Sequence, residues 1–315
     1  MSILLATPNK TQNAWLQAFR QQAPDIRVQP WSEVDNPESV RLAMVWKQAP
    51  MSWTPFSGLQ LIYSIGAGVD HLLSDSSLPC HVPICRLVDD HLRNAMVRYC
   101  LTALLEHHSA FQAYQTIQSQ HRWQPLSIVE PLHTSVAVLG CGQMGSGVAE
   151  ALSGLGFRVH TWSRHSATIL GTFHYHGDDQ LMACLDQVDY LINLLPLTTR
   201  TSGILNHRIF QQLAAGAYLI QAGRGEHLVE THLLKALNSG QLSGACLDTF
   251  IEEPLSENHP FWNHPKIRIT PHIAAITRTD ATVAQIIDIY RRLLRGIPAK
   301  KVVLPEQWVD RKRGY

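Results

Sequence analysis

The chain has 315 residues, more than one hydrophobic core usually sustains, so its length predicts roughly two domains. A hydrophobic fraction of 45% excludes a chain dominated by disorder, and 26 Lys+Arg against 25 Asp+Glu excludes bulk attraction to nucleic acid or anionic membrane. Six scattered cysteines without a C-x-x-C, no apolar run near membrane-spanning length, and a Met1–Pro8 stretch that reads as a first strand rather than a leader together predict a soluble, cytoplasmic protein with reduced thiols.

Short apolar runs alternate with helix-length segments from end to end, the pattern of parallel βα units. Strands are expected at residues 3–6, 42–46 and 61–65, then at 136–139, 159–162, 190–194, 218–221, 245–247 and 267–270. They are apolar throughout rather than alternating, as when helices cover both faces of a sheet. A long helix opens at Asp89 or Asp90, with Val97, Cys100, Leu101, Leu104 and Leu105 at helical spacing. A poorly periodic stretch with two prolines follows at 121–131, and the first domain boundary is expected near residue 95. A last helix runs through Val283, Ile286, Ile287, Tyr290 and Leu293, stopped by Gly296 and Pro298, and the tail from Asp310 to Tyr315 is expected to fray.

Gly140-Cys-Gly142-Gln143-Met144-Gly145 stands directly behind the strand at 136–139 and opens a helical face at Val148, Ala149 and Leu152. This is the dinucleotide pattern: a glycine for the tight turn, one for close approach of a pyrophosphate, one for helix–strand packing. An acidic residue to bind a free ribose 2′-hydroxyl should follow some twenty residues on, but none occurs between Ala151 and Gly177. The second strand ends in Ser163-Arg164, a hydroxyl and a guanidinium suited to a 2′-phosphate, which predicts NADP, with NADPH preferred over NADH.

Three more segments end candidate strands: Gln221-Ala222-Gly223-Arg224-Gly225, Asp248 through Glu253-Pro254, and Thr270-Pro-His272-Ile-Ala-Ala275. Together with Ser64-Ile-Gly66-Ala67-Gly68-Val-Asp70 and Leu195-Pro196-Leu-Thr198-Thr-Arg, they make the chain resemble the D-isomer-specific 2-hydroxyacid dehydrogenase family, in its glyoxylate/hydroxypyruvate reductase A branch. The resemblance implies an α/β fold of two Rossmann-like domains with parallel sheets. A cofactor domain at 95–275 would be inserted into a flavodoxin-like substrate domain made of 1–94 and 276–315. It also implies a homodimer and a small 2-oxo acid substrate. Arg224 would bind the substrate, His272 would donate the proton, and Glu253 would favour the imidazolium; an unperturbed histidine, with a pKa near 6.5, is mostly neutral above pH 7. Ala67 and Gly68 would hold the substrate carboxylate, with Trp46 as a pocket wall. Ala222 and Asp248 would face the nicotinamide carboxamide, and Leu195, Pro196 and Thr198 another surface of the cofactor.

Two positions depart from the family pattern. Met96-Val97-Arg98-Tyr99 replaces a usual Val-Ala-Glu run, and Ile220-Gln221-Ala222 stands where Asn-Xaa-Ala is usual before the arginine. No metal is expected. Of the 17 histidines, His174 and His176 read as a polar loop and His107, His108, His259 and His264 as surface or satisfied helix-end residues. A catalytically silent dinucleotide sensor or corepressor is the alternative from another class. Phosphoglycerate dehydrogenase is the alternative enzyme, disfavoured because no further domain follows the last helix.

Overall fold

A computed structural model of the chain describes residues 1–48, 51–312 and 314. It divides into two compact units, Met1–Asp89 with Thr277–Tyr315, and Asp90–Ile276. The expected boundaries at 95 and 275 differ because the long helix belongs entirely to the second unit.

The first unit opens with β1 (Ser2–Ala6), α1 (Asn9–Gln22), β2 (Val28–Pro30), β3 (Val40–Val45), β4 (Leu61–Ser64), α2 (Asp70–Leu73) and β5 (Ile84–Arg86). Its sheet has the order β2-β1-β3-β4-β5 with every pairing parallel, the flavodoxin-like arrangement. β1 is buried at every residue, so its side chains meet protein on both faces.

The second unit begins with α3 (Asp90–His108) and α4 (Phe111–Ser119), followed by β6 (Ser135–Leu139), α5 (Gln143–Gly154), β7 (Arg158–Ser163) and β8 (Phe173–His176). Next come α6 (Leu181–Cys184), β9 (Tyr190–Asn193), α7 (His207–Gln212), β10 (Ala217–Gln221), α8 (Glu230–Ser239), β11 (Leu242–Leu247) and β12 (Ile267–Ile269). The strand order β12-β11-β10-β9-β6-β7-β8 is a doubly wound parallel sheet, with the chain reversing its direction of travel across the sheet between β6 and β9. Strand alternation sorts the core. Ala137, Leu139, Leu191 and Leu219 pack in one buried cluster, while their neighbours Val136, Val138, Ile192 and Ile220 pack in the other. The chain then returns to the first unit as α9 (Thr279–Leu294), which ends before Gly296 at φ +77°.

Three expectations are corrected. β2 and β5 went unforeseen because each has three residues, too few for periodicity to register. His174-Tyr175-His176 is no loop but most of β8, paired in parallel with β7. It is an edge strand, whose outer side carries no ladder and therefore tolerates polar residues. His107, by contrast, is a satisfied helix-end residue as expected: it lies in the last turn of α3, stacks on Tyr218 with ring centroids 4.0 Å apart, and its Nδ1 lies 2.9 Å from the Tyr190 hydroxyl. The expected fraying from Asp310 stops short as well, because Arg311 donates to the Pro79 and Val82 carbonyls at 2.8 and 2.7 Å. The rest of that expectation, at Arg313 and Tyr315, lies outside the described residues.

Candidate active site

Leu139, Asn193, Gln221, Leu247 and Ile269 are register partners across β6, β9, β10, β11 and β12, and Trp162 of β7 pairs with Leu139. The chain therefore leaves all six strands at one level on one edge, the edge where open parallel sheets bind ligands. Gly140, Ser163-Arg164, Leu195–Thr198, Ala222–Arg224, Asp248 and Thr270–His272 follow immediately.

The glycine loop has the shape of a phosphate cradle. Gly140 sits at φ +98°, and a Cβ there would lie 2.7 Å from the Leu194 carbonyl oxygen. A Cβ on Gly145 would overlap the Gly140 carbonyl, which is how helix and strand come close, whereas one on Gly142 would meet nothing within 4 Å. Gln143 and Met144 begin α5, whose first turn has unpaired backbone N–H groups and no acidic residue. Open space beside Gly142, a helix N-terminus and no local negative charge fit a pyrophosphate. Across β7, Ser163 and Arg164 are half-buried, and the Ser163 hydroxyl donates to the His165 carbonyl at 2.7 Å. Burial pushes the Cys141 thiol up to about 11, so it stays protonated in the loop at neutral pH. Leu195 packs into the sheet's core, leaving Pro196 and Thr198 as the half-buried residues of their turn, closed by Thr201 Oγ1 donating to the Pro196 carbonyl at 2.8 Å.

Glu253 and His272, distant in sequence, meet. Both Glu253 oxygens lie 2.9 Å from His272 Nδ1. This fixes the ring and leaves Nε2 as the nitrogen able to present a proton. Arg224 is drawn toward the same loop by its neighbour, since a Cβ on Gly225 would overlap the backbone of Phe250 and Ile251. The Phe250 N–H donates to Glu253 Oε1 at 3.2 Å, tying that backbone to the carboxylate. One Arg224 guanidinium nitrogen donates to the Gly223 carbonyl at 3.0 Å.

Where the sequence aimed Asp248 at the cofactor, both of its oxygens are engaged by the chain, and the residue is 1% exposed. Oδ1 accepts from the Ile273 N–H at 2.8 Å and the Thr270 hydroxyl at 2.6 Å, and Oδ2 accepts from the Ala274 N–H at 2.9 Å. The His272 N–H donates to the Asp248 carbonyl at 2.9 Å. His272 itself sits at φ +55°, in the left-handed region that side chains other than glycine rarely adopt, and these bonds hold it there. The Tyr99 hydroxyl joins the set, 2.7 Å from Thr270 Oγ1. Tyr99, Thr270, Asn193 and His227 were not singled out in the sequence. Only Asn193 leaves a signal there, as a polar residue inside an apolar strand run.

Trp46, Ala67 and Gly68 belong to the first unit. The Ser64 hydroxyl contacts the Gly66 and Gly68 carbonyls at 3.1 and 3.0 Å, curling the loop that holds Ala67 and Gly68. Trp46 is half-buried, pressed against Gly66, where a Cβ would overlap the indole, and meets the His71 ring at 4.8 Å between centroids. That exposure suits a wall better than a core.

Comparison with known proteins places this geometry among relatives. The profile described as "D-isomer specific 2-hydroxyacid dehydrogenase, NAD binding domain" matches residues 101–274. A glyoxylate/hydroxypyruvate reductase A of Serratia proteamaculans is 40% identical over 291 residues, covering 91% of this chain and 93% of its own. One from Photorhabdus laumondii is 39% identical over the whole of both chains. Among solved structures, a D-isomer specific 2-hydroxyacid dehydrogenase of Xanthobacter autotrophicus in complex with NADPH and MES superposes with a TM-score of 0.90, at 32% identity over 100% of this chain and 99% of its own. The NADPH-dependent glyoxylate/hydroxypyruvate reductase of Sinorhizobium meliloti, in complex with NADP and sulfate, gives 0.89 at 33% identity over 100% of both.

Proposed function

The chain belongs to the D-isomer-specific 2-hydroxyacid dehydrogenase family, and from that premise we propose that it reduces a small 2-oxo acid, glyoxylate to glycolate or hydroxypyruvate to glycerate, with NADPH as reductant. The observation that carries the proposal is the Glu253 carboxylate held 2.9 Å from His272 Nδ1. A binding module has no need of an imidazole–carboxylate pair on the ligand edge of its sheet.

Arg224 binds the substrate carboxylate and carbonyl oxygen, its planar fork matching the geometry of a carboxylate. By resemblance to the family, Ala67, Gly68 and Trp46 of the first unit are substrate-binding residues as well. When bound, the reduced nicotinamide supplies the hydride that the carbonyl carbon accepts. His272 transfers the Nε2 proton to the carbonyl oxygen as negative charge develops there, and Glu253, bound at Nδ1, holds the ring for that transfer. Asp248 acts on this step indirectly, by holding the loop that carries His272. Gly140, Gly142, Gln143, Met144 and Gly145 would hold the pyrophosphate, Ser163 and Arg164 the 2′-phosphate, Ala222 would face the nicotinamide carboxamide, and Pro196 and Thr198 another surface of the cofactor. The empty acidic position between Ala151 and Gly177 is what favours NADPH over NADH.

A panel of 2-oxo acids assayed with both reduced cofactors tests the proposal. The expected result is the highest kcat/KM for glyoxylate or hydroxypyruvate with NADPH. A preference for NADH overturns the cofactor assignment, absence of turnover with every 2-oxo acid overturns the enzyme in favour of a dinucleotide sensor, and turnover unchanged in Arg224→Ala overturns the site assignment. The proposed partner is a second copy of the chain. Trp123 is fully exposed, and Phe111, Ile128, Val129 and Leu132, near it in sequence, are 46–65% exposed, apolar residues of the kind that subunit contacts cover. Light scattering on the purified protein should give twice the chain mass. All six cysteines are free, in keeping with a cytoplasmic location, and among the described residues no helix is long and apolar enough to cross a membrane.

A further inference from the structure

Arg224 is gripped through its backbone from both sides by side chains that form one buried set. Gln221 Nε2 donates to the Arg224 carbonyl at 2.6 Å, and Gln221 Oε1 accepts from the Gly223 N–H at 3.3 Å. On the other side His227 Nδ1 accepts the Arg224 N–H at 3.0 Å. Asn193 joins the two, its Nδ2 donating to Gln221 Oε1 at 2.7 Å and lying 3.0 Å from His227 Nδ1. All three side chains are 0% exposed.

The partners determine every orientation in the set. Two N–H donors converge on His227 Nδ1, so that nitrogen carries the lone pair and the ring proton is on Nε2. Rotating the Gln221 carboxamide by half a turn would set its oxygen against the Arg224 carbonyl and its NH2 against two donors. Asn193 is held the same way, its Oδ1 accepting the Leu195 N–H at 3.4 Å. The fit is tight: a Cβ on Gly223 would lie 2.7 Å from His227 Nδ1 and 2.9 Å from Asn193 Nδ2. This explains the glycine before the arginine, as contact with Phe250 and Ile251 explains the one after it.

Burying two amides and an imidazole is costly, and three apolar residues would fill the same space without that cost. What the polar set adds is a fixed backbone at one residue, Arg224, held at φ −136° and ψ 149°. We propose that Gln221, His227 and Asn193 are positioning residues that aim the Arg224 guanidinium at the substrate carboxylate. This rests on the reading of Arg224 as the group that binds the substrate.

The test compares Gln221→Met and His227→Phe, which keep approximate shape and remove the bonds, with His227→Gln, which restores an acceptor. Measurements are kcat and KM for glyoxylate, NADPH binding by fluorescence, Tm, and calorimetric binding of oxalate, an unreduced dianion, to the NADPH-loaded enzyme. Misaiming one binding group by a fraction of an ångström should raise KM and weaken oxalate by on the order of tenfold to a hundredfold, with NADPH affinity within about twofold of the parent. His227→Gln should recover part of the loss. Equal loss of oxalate and NADPH binding, or no recovery in His227→Gln, overturns the proposal in favour of a general structural role. Arg224→Gln separates the two readings. If it leaves glyoxylate reduction intact, the site assignment fails; if it abolishes reduction while Gln221→Met and His227→Phe match the parent, only the positioning role fails.

Discussion

The two residues proposed to handle the substrate are held in place by opposite chemistry. The Arg224 turn lies in extended backbone that any residue adopts, and neutral groups, an amide and an imidazole, accept and donate its main-chain hydrogen bonds. The His272 loop is in left-handed backbone and is held by a carboxylate, with Asp248 accepting from two N–H groups and a hydroxyl while Glu253 flanks the ring. A permanent cation needs only to be aimed, and uncharged supports do that. A group that hands over a proton must have its ring fixed, which Glu253 does, while a second carboxylate, Asp248, offsets the strain of the unusual backbone. In both cases the side chain that acts is fixed through main-chain groups next to it.

That contrast predicts effects of different sizes. Removing the acting groups should cost most: His272→Gln should lower kcat by about 10²- to 10⁴-fold and Arg224→Gln should lower kcat/KM by about 10³-fold, both with NADPH binding retained. Steady-state kinetics beside fluorescence titration checks this, and loss of NADPH binding in either variant would show that the two loops also support the cofactor. Asp248→Ala should come next. It leaves two N–H groups and a hydroxyl unpaired at about 1–3 kcal/mol each, so Tm and kcat should both fall. The sharpening observation is its split: kcat should suffer more than KM, the reverse of the Gln221 variant. Tyr99→Phe removes only the outermost bond of that set and should cost about 1 kcal/mol in urea unfolding, with kcat changed less than threefold.

The smallest effect lies away from both loops. Burial lowers the pKa of His107 from 6.5 to about 4, so the unfolded chain binds its proton first. Stability from this group is complete above pH 6.5 and is lost as pH falls toward 4. Urea midpoints measured across that window should decline with acid in the parent and decline less in His107→Phe. Equal slopes would show that other groups dominate acid unfolding.

Much of this was legible in the chain itself. The apolar runs marked nine of the strands, because a doubly covered parallel strand has a one-word composition, and the glycine spacing marked the phosphate cradle because only glycine satisfies both the turn at 140 and the contact at 145. Arg224, Glu253 and His272 were readable by resemblance, as side chains on strand-end motifs. Edge elements were not: β8, with two histidines in its four residues, looks like a loop until β7 pairs with it. The resemblance pointed Asp248 toward the nicotinamide, but nothing in the chain revealed the bonds it accepts from the backbone of 273 and 274.

By itself, then, the sequence determined the fold class, because local pattern and residue type set it, and its resemblance to the family pointed to the side chains proposed to carry the chemistry. Only the tertiary structure decided how those side chains are held. Asn193, Gln221 and His227 become one network when parallel register sets the ends of β9 and β10 side by side and the turn after β10 brings His227 back over them. Hydrogen bonds between residues brought together by strand pairing have no counterpart in sequence spacing.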